Sequence, residues 1–127
     1  MRALRVLVVE DDLMIGPLLA EVLEDLGHIV VAVVIDARAA VEAARDYRPD
    51  LMIVDIKLGE HSGVAAVKEI LREAFVPHVF VTGDVLRNLE LGPEAELIEK
   101  PYRTHDIVAA IARVIGDAAR RDEVTPA

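Results

Sequence analysis

Residues 4–12, Leu4-Arg5-Val6-Leu7-Val8-Val9-Glu10-Asp11-Asp12, decide the fold class of this chain. An apolar run interrupted only by Arg5 passes directly into three acids. A short, β-branched run without polar alternation is the signature of a strand buried on both faces, the kind from which parallel sheets are built. Ile29 to Ile35, Leu51 to Val54, Val79 to Val81 and Leu97-Ile98 repeat the pattern.

Between these runs the apolar residues recur at helical spacing. Leu13 to Leu26 places Ile15, Leu18, Leu19, Val22, Leu23 and Leu26 on one stripe, with Gly27 as a C-terminal stop. Met14 and Ile15 read as core. Pro17 falls in the first turns, where few backbone donors need an internal partner. Asp36 can cap a helix to about Tyr47, which Pro49 prevents from continuing. Ser62 opens a third helix through Val64, Val67, Ile70 and Leu71, and Thr104 caps a last one through Ile107, Ile111, Val114 and Ile115. Strand–helix alternation repeated five times predicts an α/β fold, a doubly wound five-stranded parallel sheet with helices on both faces. Between Thr82 and Lys100 only Val85 to Leu91 reads as helix, a short one ended by Gly92-Pro93. A domain over 1–118 is expected, with 119–127 a fraying helix end or a cut linker.

Composition narrows the function. At 127 residues the chain is one domain, long enough to bury about two-thirds of its unfolded surface. Apolar residues make up 54%, which excludes disorder. The absence of cysteine excludes disulfides, thiolate metal sites and cysteine nucleophiles. Fourteen basic residues against 23 acidic ones give a net charge of −9, which argues against nucleic acid as a partner. Aromatics are only 3%, too few for base-stacking platforms. No apolar stretch reaches the roughly 18 residues of a spanning helix, and no signal peptide is visible. A cytoplasmic protein with an acidic, cation-binding site is expected.

In a doubly wound sheet, ligands bind at the carboxyl ends of the strands. Those ends carry Glu10-Asp11-Asp12, Asp55, Thr82-Gly83 and Glu99-Lys100-Pro101. Clustered carboxylates repel one another unless a cation joins them. Hard oxygen donors without a histidine or thiolate set favour Mg²⁺, which suits phosphoryl chemistry. An aspartate can serve as the nucleophile and form an acyl phosphate. Asp55, between Val54 and Ile56, is the natural choice, with the Lys100 ammonium and the Thr82 hydroxyl placed to meet phosphoryl oxygens. His28, His61, His78 and His105 read as surface or loop residues. His61 could approach the site, and Asp12 could cap the first helix.

VLVVEDD at 6–12, DLMIVDIKL at 50–58, VFVTGD at 79–84 and EKPY at 99–102 resemble the receiver domain of two-component response regulators over about residues 4–118. The resemblance implies the strand order 2-1-3-4-5 of flavodoxin-like folds. It implies Asp55 as phosphoacceptor, with Thr82 and Lys100 completing the reactive set. Glu10, Asp11, Asp55 and the backbone carbonyl of Lys57 would hold Mg²⁺, Glu10 acting through water. A cis Lys100–Pro101 bond is also implied. So is phosphoryl transfer from a sensor histidine kinase or a histidine phosphotransfer protein, followed by a conformational shift that changes binding to an unknown downstream protein. Self-phosphorylation and autodephosphorylation are expected, without turnover of a free substrate. An aspartyl phosphohydrolase is disfavoured because Lys57 stands where such enzymes carry a second aspartate.

Three departures stand out. Leu97 occupies the position of the family's usual aromatic before the lysine, and reads as core. Gly59 replaces the proline often found four residues after the acceptor. The segment between Thr82 and Lys100 is short. With Phe80, Thr82 and Gly83, these features resemble in part a stand-alone subgroup marked by Phe-Ala-Thr-Gly-x-Tyr, in which the fourth helix is labile. Val81 and Val85 stand for its alanine and tyrosine. Leu97 motivates an alternative, a receiver-like interaction module that works without phosphorylation.

Overall fold

The computed structural model describes residues 2–83 and 91–124, with side chains up to residue 119. Strand β1 (Arg5–Val9) leads into helix α1 (Ile15–Asp25), followed by β2 (Ile29–Val34), α2 (Ala37–Tyr47) and β3 (Leu51–Asp55). Two short strands, β4 (Lys57–Leu58) and β5 (His61–Ser62), precede α3 (Gly63–Glu73), β6 (His78–Thr82), β7 (Glu96–Glu99) and α4 (Thr104–Val124). The main sheet is parallel, in the order β2-β1-β3-β6-β7. Setting aside the antiparallel β4–β5 pair, this is the expected 2-1-3-4-5 arrangement. The short helix expected from Val85 lies outside the described residues. The last helix runs unbroken to Val124, past the boundary expected near 118.

Each face of the sheet carries its own core. Leu4, Val6, Val8, Ile53 and Val79 pack with Leu19 and Leu23 of α1 and Ile107, Ile111 and Val114 of α4. Leu7, Val9, Met52, Val54 and Phe80 face Val41 of α2 and Val64, Val67 and Ile70 of α3. Alternate residues of β1 and β3 thus enter opposite cores, as the period of two requires. Leu97 packs at the margin of the second core, beside Phe80 in the ladder.

Local capping follows the sequence at α2 and α3 and departs from it at the last helix. The Asp36 carboxylate accepts the Ala39 N–H (2.8 Å), and the Ser62 hydroxyl accepts the Ala65 N–H (3.3 Å). Thr104, expected as a cap, lies within the last helix. There Asp106 accepts the Arg103 N–H at 2.8 Å, the backward half of a capping box. Asp12 Oδ1 accepts the Met14 and Ile15 N–H groups at 2.8 and 3.1 Å, which holds its pKa below the usual carboxylate range.

Two apolar expectations are corrected. On α1 the buried positions are Gly16, Leu19, Ala20 and Leu23, while Met14 and Leu18 are 74% and 58% exposed. Gly16 explains the rotation, because a Cβ there would stand 3.0 Å from Val33 Cγ1. At Gly16 the helix approaches β2 closely, at Val33. Strand β2 has no fully buried residue, because it forms an edge of the sheet. The surface or loop placement expected for the histidines fails at His78, which opens β6, while His28 lies in the loop before β2 without reaching the surface. His28 is buried, its Nδ1 accepting the Leu4 N–H at 3.1 Å, and His78 is buried with Nδ1 2.8 Å from the Val76 carbonyl oxygen. Burial lowers the pKa of both imidazoles.

Candidate phosphoryl-transfer site

The two central strands deliver the acids. Strands β1 and β3 pair Val9 with Val54, which brings Glu10 and Asp55 to one end of the sheet. Glu10 and Asp55 are 4% and 7% exposed, so both carboxylates are largely desolvated. Strand β7 pairs Glu99 with Thr82, and the Lys100 N–H donates to the Thr82 carbonyl at 2.7 Å. That register carries the lysine to the same edge. The Lys100–Pro101 bond is cis, as the sequence resemblance implies.

Lys100 Nζ donates to Glu10 Oε1 and to Asp55 Oδ2, both at 2.8 Å. Burial works against its ammonium, but the hydrogen bonds to Asp55 and Glu10 outweigh this and raise its pKa. Burial raises the pKa of Glu10, opposed by the Lys100 hydrogen bond and reinforced by the Asp55 carboxylate. Three carboxylates, Glu10, Asp11 and Asp55, share this edge with the Lys100 ammonium, an imbalance under which a further cation is attracted.

Asp11 joins from the exposed side. Oxygens of Glu10, Asp11 and Asp55 lie within 4.8 Å of one another, a set that could hold a metal ion. An all-carboxylate set without nitrogen or sulfur fits a hard divalent ion. Asp55 Oδ1 accepts the Lys57 N–H at 2.9 Å, so both acceptor oxygens are oriented. Thr82 is buried at the end of β6, next to Val81, which pairs with Asp55 across the ladder. Tyr102 packs half-buried against the α1–α4 core, and the charges of Lys100, Glu10 and Asp55 act on its hydroxyl, whose pKa burial raises.

Gly63 allows α3 to begin directly over β3. A Cβ at this position would meet the Asp55 carbonyl oxygen at 2.0 Å and Val54 Cγ1 at 2.8 Å, so only glycine fits. The β4–β5 hairpin was not read from the sequence. Its signal was the pair Gly59-Glu60 between Lys57-Leu58 and His61-Ser62, a two-residue loop opened by glycine at φ +59°. The hairpin places the Gly59 N–H 2.9 Å from Asp11 Oδ2. His61 lines a groove between α2 and α3 with Asp36, Arg38, Glu42 and Glu69, and is no member of the acidic cluster.

The model of the response regulator receiver domain matches residues 6–112. The chain belongs to the receiver domain family of response regulators. Among relatives, this receiver is 36% identical over 112 residues to the transcriptional regulatory protein PdtaR of Mycobacterium tuberculosis, covering 84% of this chain and 54% of that protein. It is 35% identical over 127 residues to the phyllosphere-induced regulator PhyR of Methylorubrum extorquens, covering 95% of this chain and 48% of the relative. The solution structure of the PhyR receiver domain of Erythrobacter litoralis superposes with a TM-score of 0.78 at 27% identity, covering 89% of this chain and 90% of that one. The receiver spans about half the length of the curated relatives it matches.

Proposed function

We propose that this receiver accepts a phosphoryl group on Asp55 in the presence of Mg²⁺ and thereby changes how it binds a partner protein. The observation that carries this reading is the joint hold of Lys100 on Glu10 and Asp55, with Asp11 in the same oxygen cluster. A carboxylate oxygen of Asp55 attacks phosphorus, the P–N bond of a donor phosphohistidine breaks, and the imidazole leaves. Hydrolysis then returns the carboxylate and inorganic phosphate. Lys100 balances the charge of the phosphoryl oxygens, and Thr82 lies on the neighbouring strand end to receive one of them. Glu10, Asp11, Asp55 and the Lys57 carbonyl would hold the Mg²⁺, which supplies charge neutralisation for the transferring group. The chain is a phosphoryl acceptor, not an enzyme turning over a free substrate, and it acts in the cytoplasm.

The donor is a sensor histidine kinase or a histidine phosphotransfer protein. The exposed Leu13, Met14 and Leu18 beside the acids offer an apolar surface for that encounter. PhyR and PdtaR are named as regulators in their own organisms. A similar regulatory role is proposed here, with the downstream partner a protein. Incubation with acetyl phosphate and Mg²⁺ adds one phosphoryl mass to the intact chain, and Asp55→Asn abolishes the addition. No mass gain in the unaltered protein overturns the reading. Leu97, at the position of the usual aromatic, keeps a phosphate-independent interaction module as the second reading. That module predicts no NMR shifts near Asp11 and Asp55 on Mg²⁺ addition.

A further inference from the structure

Asp11 differs from the other two acids of the cluster in that its backbone hydrogen bond comes from a distant part of the chain, Gly59, and not from a residue two positions on. Glu10 and Asp55 are buried and are fixed by Lys100. Asp11 is exposed, and a solvent-facing carboxylate on a loop is free to rotate unless something holds it. The hydrogen bond that holds it comes from 48 residues away, donated by the backbone of Gly59 to Oδ2 at 2.9 Å. The donor is itself fixed. Lys57 pairs with Ser62 and Leu58 with His61, so Gly59 and Glu60 are the whole loop of a closed hairpin. Gly59 has φ +59°, which glycine adopts without penalty. The hairpin is anchored at both ends near the reactive residue: Lys57 N–H donates to Asp55 Oδ1, and Gly63 N–H donates to the Ile56 carbonyl at 2.7 Å.

We infer that Gly59 is a positioning residue that holds Asp11 in the geometry of a metal ligand through its backbone N–H. Two properties of the residue matter, a free N–H and tolerance of positive φ. Proline, frequent at this position in similar receivers, has no N–H to give. The hairpin engages Oδ2 of Asp11, and an oxygen of the same carboxylate lies within 4.8 Å of oxygens of Glu10 and Asp55. An outer hydrogen bond to a ligating carboxylate fixes its rotamer before the ion arrives, so less ordering entropy opposes binding.

The inference rests on the metal-dependent reading above and is tested separately from it. Mg²⁺ affinity is measured by calorimetry for the unaltered chain, Gly59→Pro, Gly59→Ala and Glu60→Ala. Gly59→Ala and Gly59→Pro both strain the backbone at positive φ, but only proline removes the donor. Gly59→Pro weakens Mg²⁺ binding by about tenfold, within the range for loss of an outer-shell partner. Gly59→Ala loses less, and Glu60→Ala binds as the unaltered chain does. In the metal-free, unaltered chain the Gly59 amide is protected from hydrogen exchange, and Asp11→Ala removes that protection. Should Gly59→Pro not fold, this exchange measurement decides the matter. Equal affinity in the alanine and proline variants, or a Gly59 amide that exchanges as in an unstructured peptide, overturns the inference and leaves the function standing. An unaltered chain that binds no Mg²⁺ overturns both.

Discussion

Strands β2 and β3 are built from nearly the same kind of residue and meet opposite fates. Strand β3, Leu-Met-Ile-Val-Asp, is buried at every position. Strand β2, Ile-Val-Val-Ala-Val-Val, has no fully buried residue, and Ile29 and Val33 are exposed. The difference is place. Strand β3 lies between β1 and β6, whereas β2 has a neighbour on one side only. Each strand leads to an aspartate. Asp55 ends β3 in a desolvated pocket with an ammonium 2.8 Å away. Asp36 follows β2 into solvent and caps a helix. The same carboxylate is buried against an ammonium at one strand end and caps a helix in solvent at the other because of what surrounds it.

That contrast can be broken by mutation. Ile53→Ala, in the central strand, is expected to lower the unfolding free energy by about 3 kcal/mol, as for a fully buried aliphatic truncation. Val33→Ala, at the edge, is expected to cost under about 1 kcal/mol. Urea unfolding of both variants checks the pair, and comparable losses would show that edge position is not the cause. The pocket itself comes next. Lys100→Ala leaves Glu10 and Asp55 facing each other, at a cost of about 2 kcal/mol. This is less than the roughly 3–5 kcal/mol of a fully buried pair because the Lys100 side chain is 24% exposed. Unfolding of this variant with and without Mg²⁺ sharpens the point, because the ion should recover part of the loss. The smallest effect belongs to Asp36→Ala, about 1 kcal/mol from a lost helix cap, with phosphoryl uptake at Asp55 unchanged by mass spectrometry.

How much of this was readable beforehand follows the same division. The strands and the meeting of Glu10, Asp11, Asp55 and Lys100 were legible in continuous β-branched runs ending in charge, whereas the strand order came only with the resemblance to receiver domains. Thr104 was misplaced because a hydroxyl at a helix start reads as a cap, whereas Asp106 supplies the capping bond from inside the first turn. Met14 and Leu18 were assigned inward because an apolar stripe shows its width but not its rotation. Gly16 against Val33 sets that rotation, and the contact is tertiary. The burial of His28 and His78 escaped a reading as surface or loop residues because the backbone groups that satisfy them, the Leu4 N–H and the Val76 carbonyl, are visible only once the chain is folded. The β4–β5 hairpin escaped notice because two-residue strands carry almost no periodic signal.

The chain has two tyrosines and no tryptophan. Tyr47 ends α2 and is exposed, while Tyr102 stands two residues beyond Lys100, within the electrostatic reach of Glu10 and Asp55. Tyrosine emission from this protein therefore comes from two phenols, one of them close in sequence to Lys100 and subject to the charges of the acidic cluster, so a rearrangement of charge there is expected to register in the native fluorescence with no dye attached.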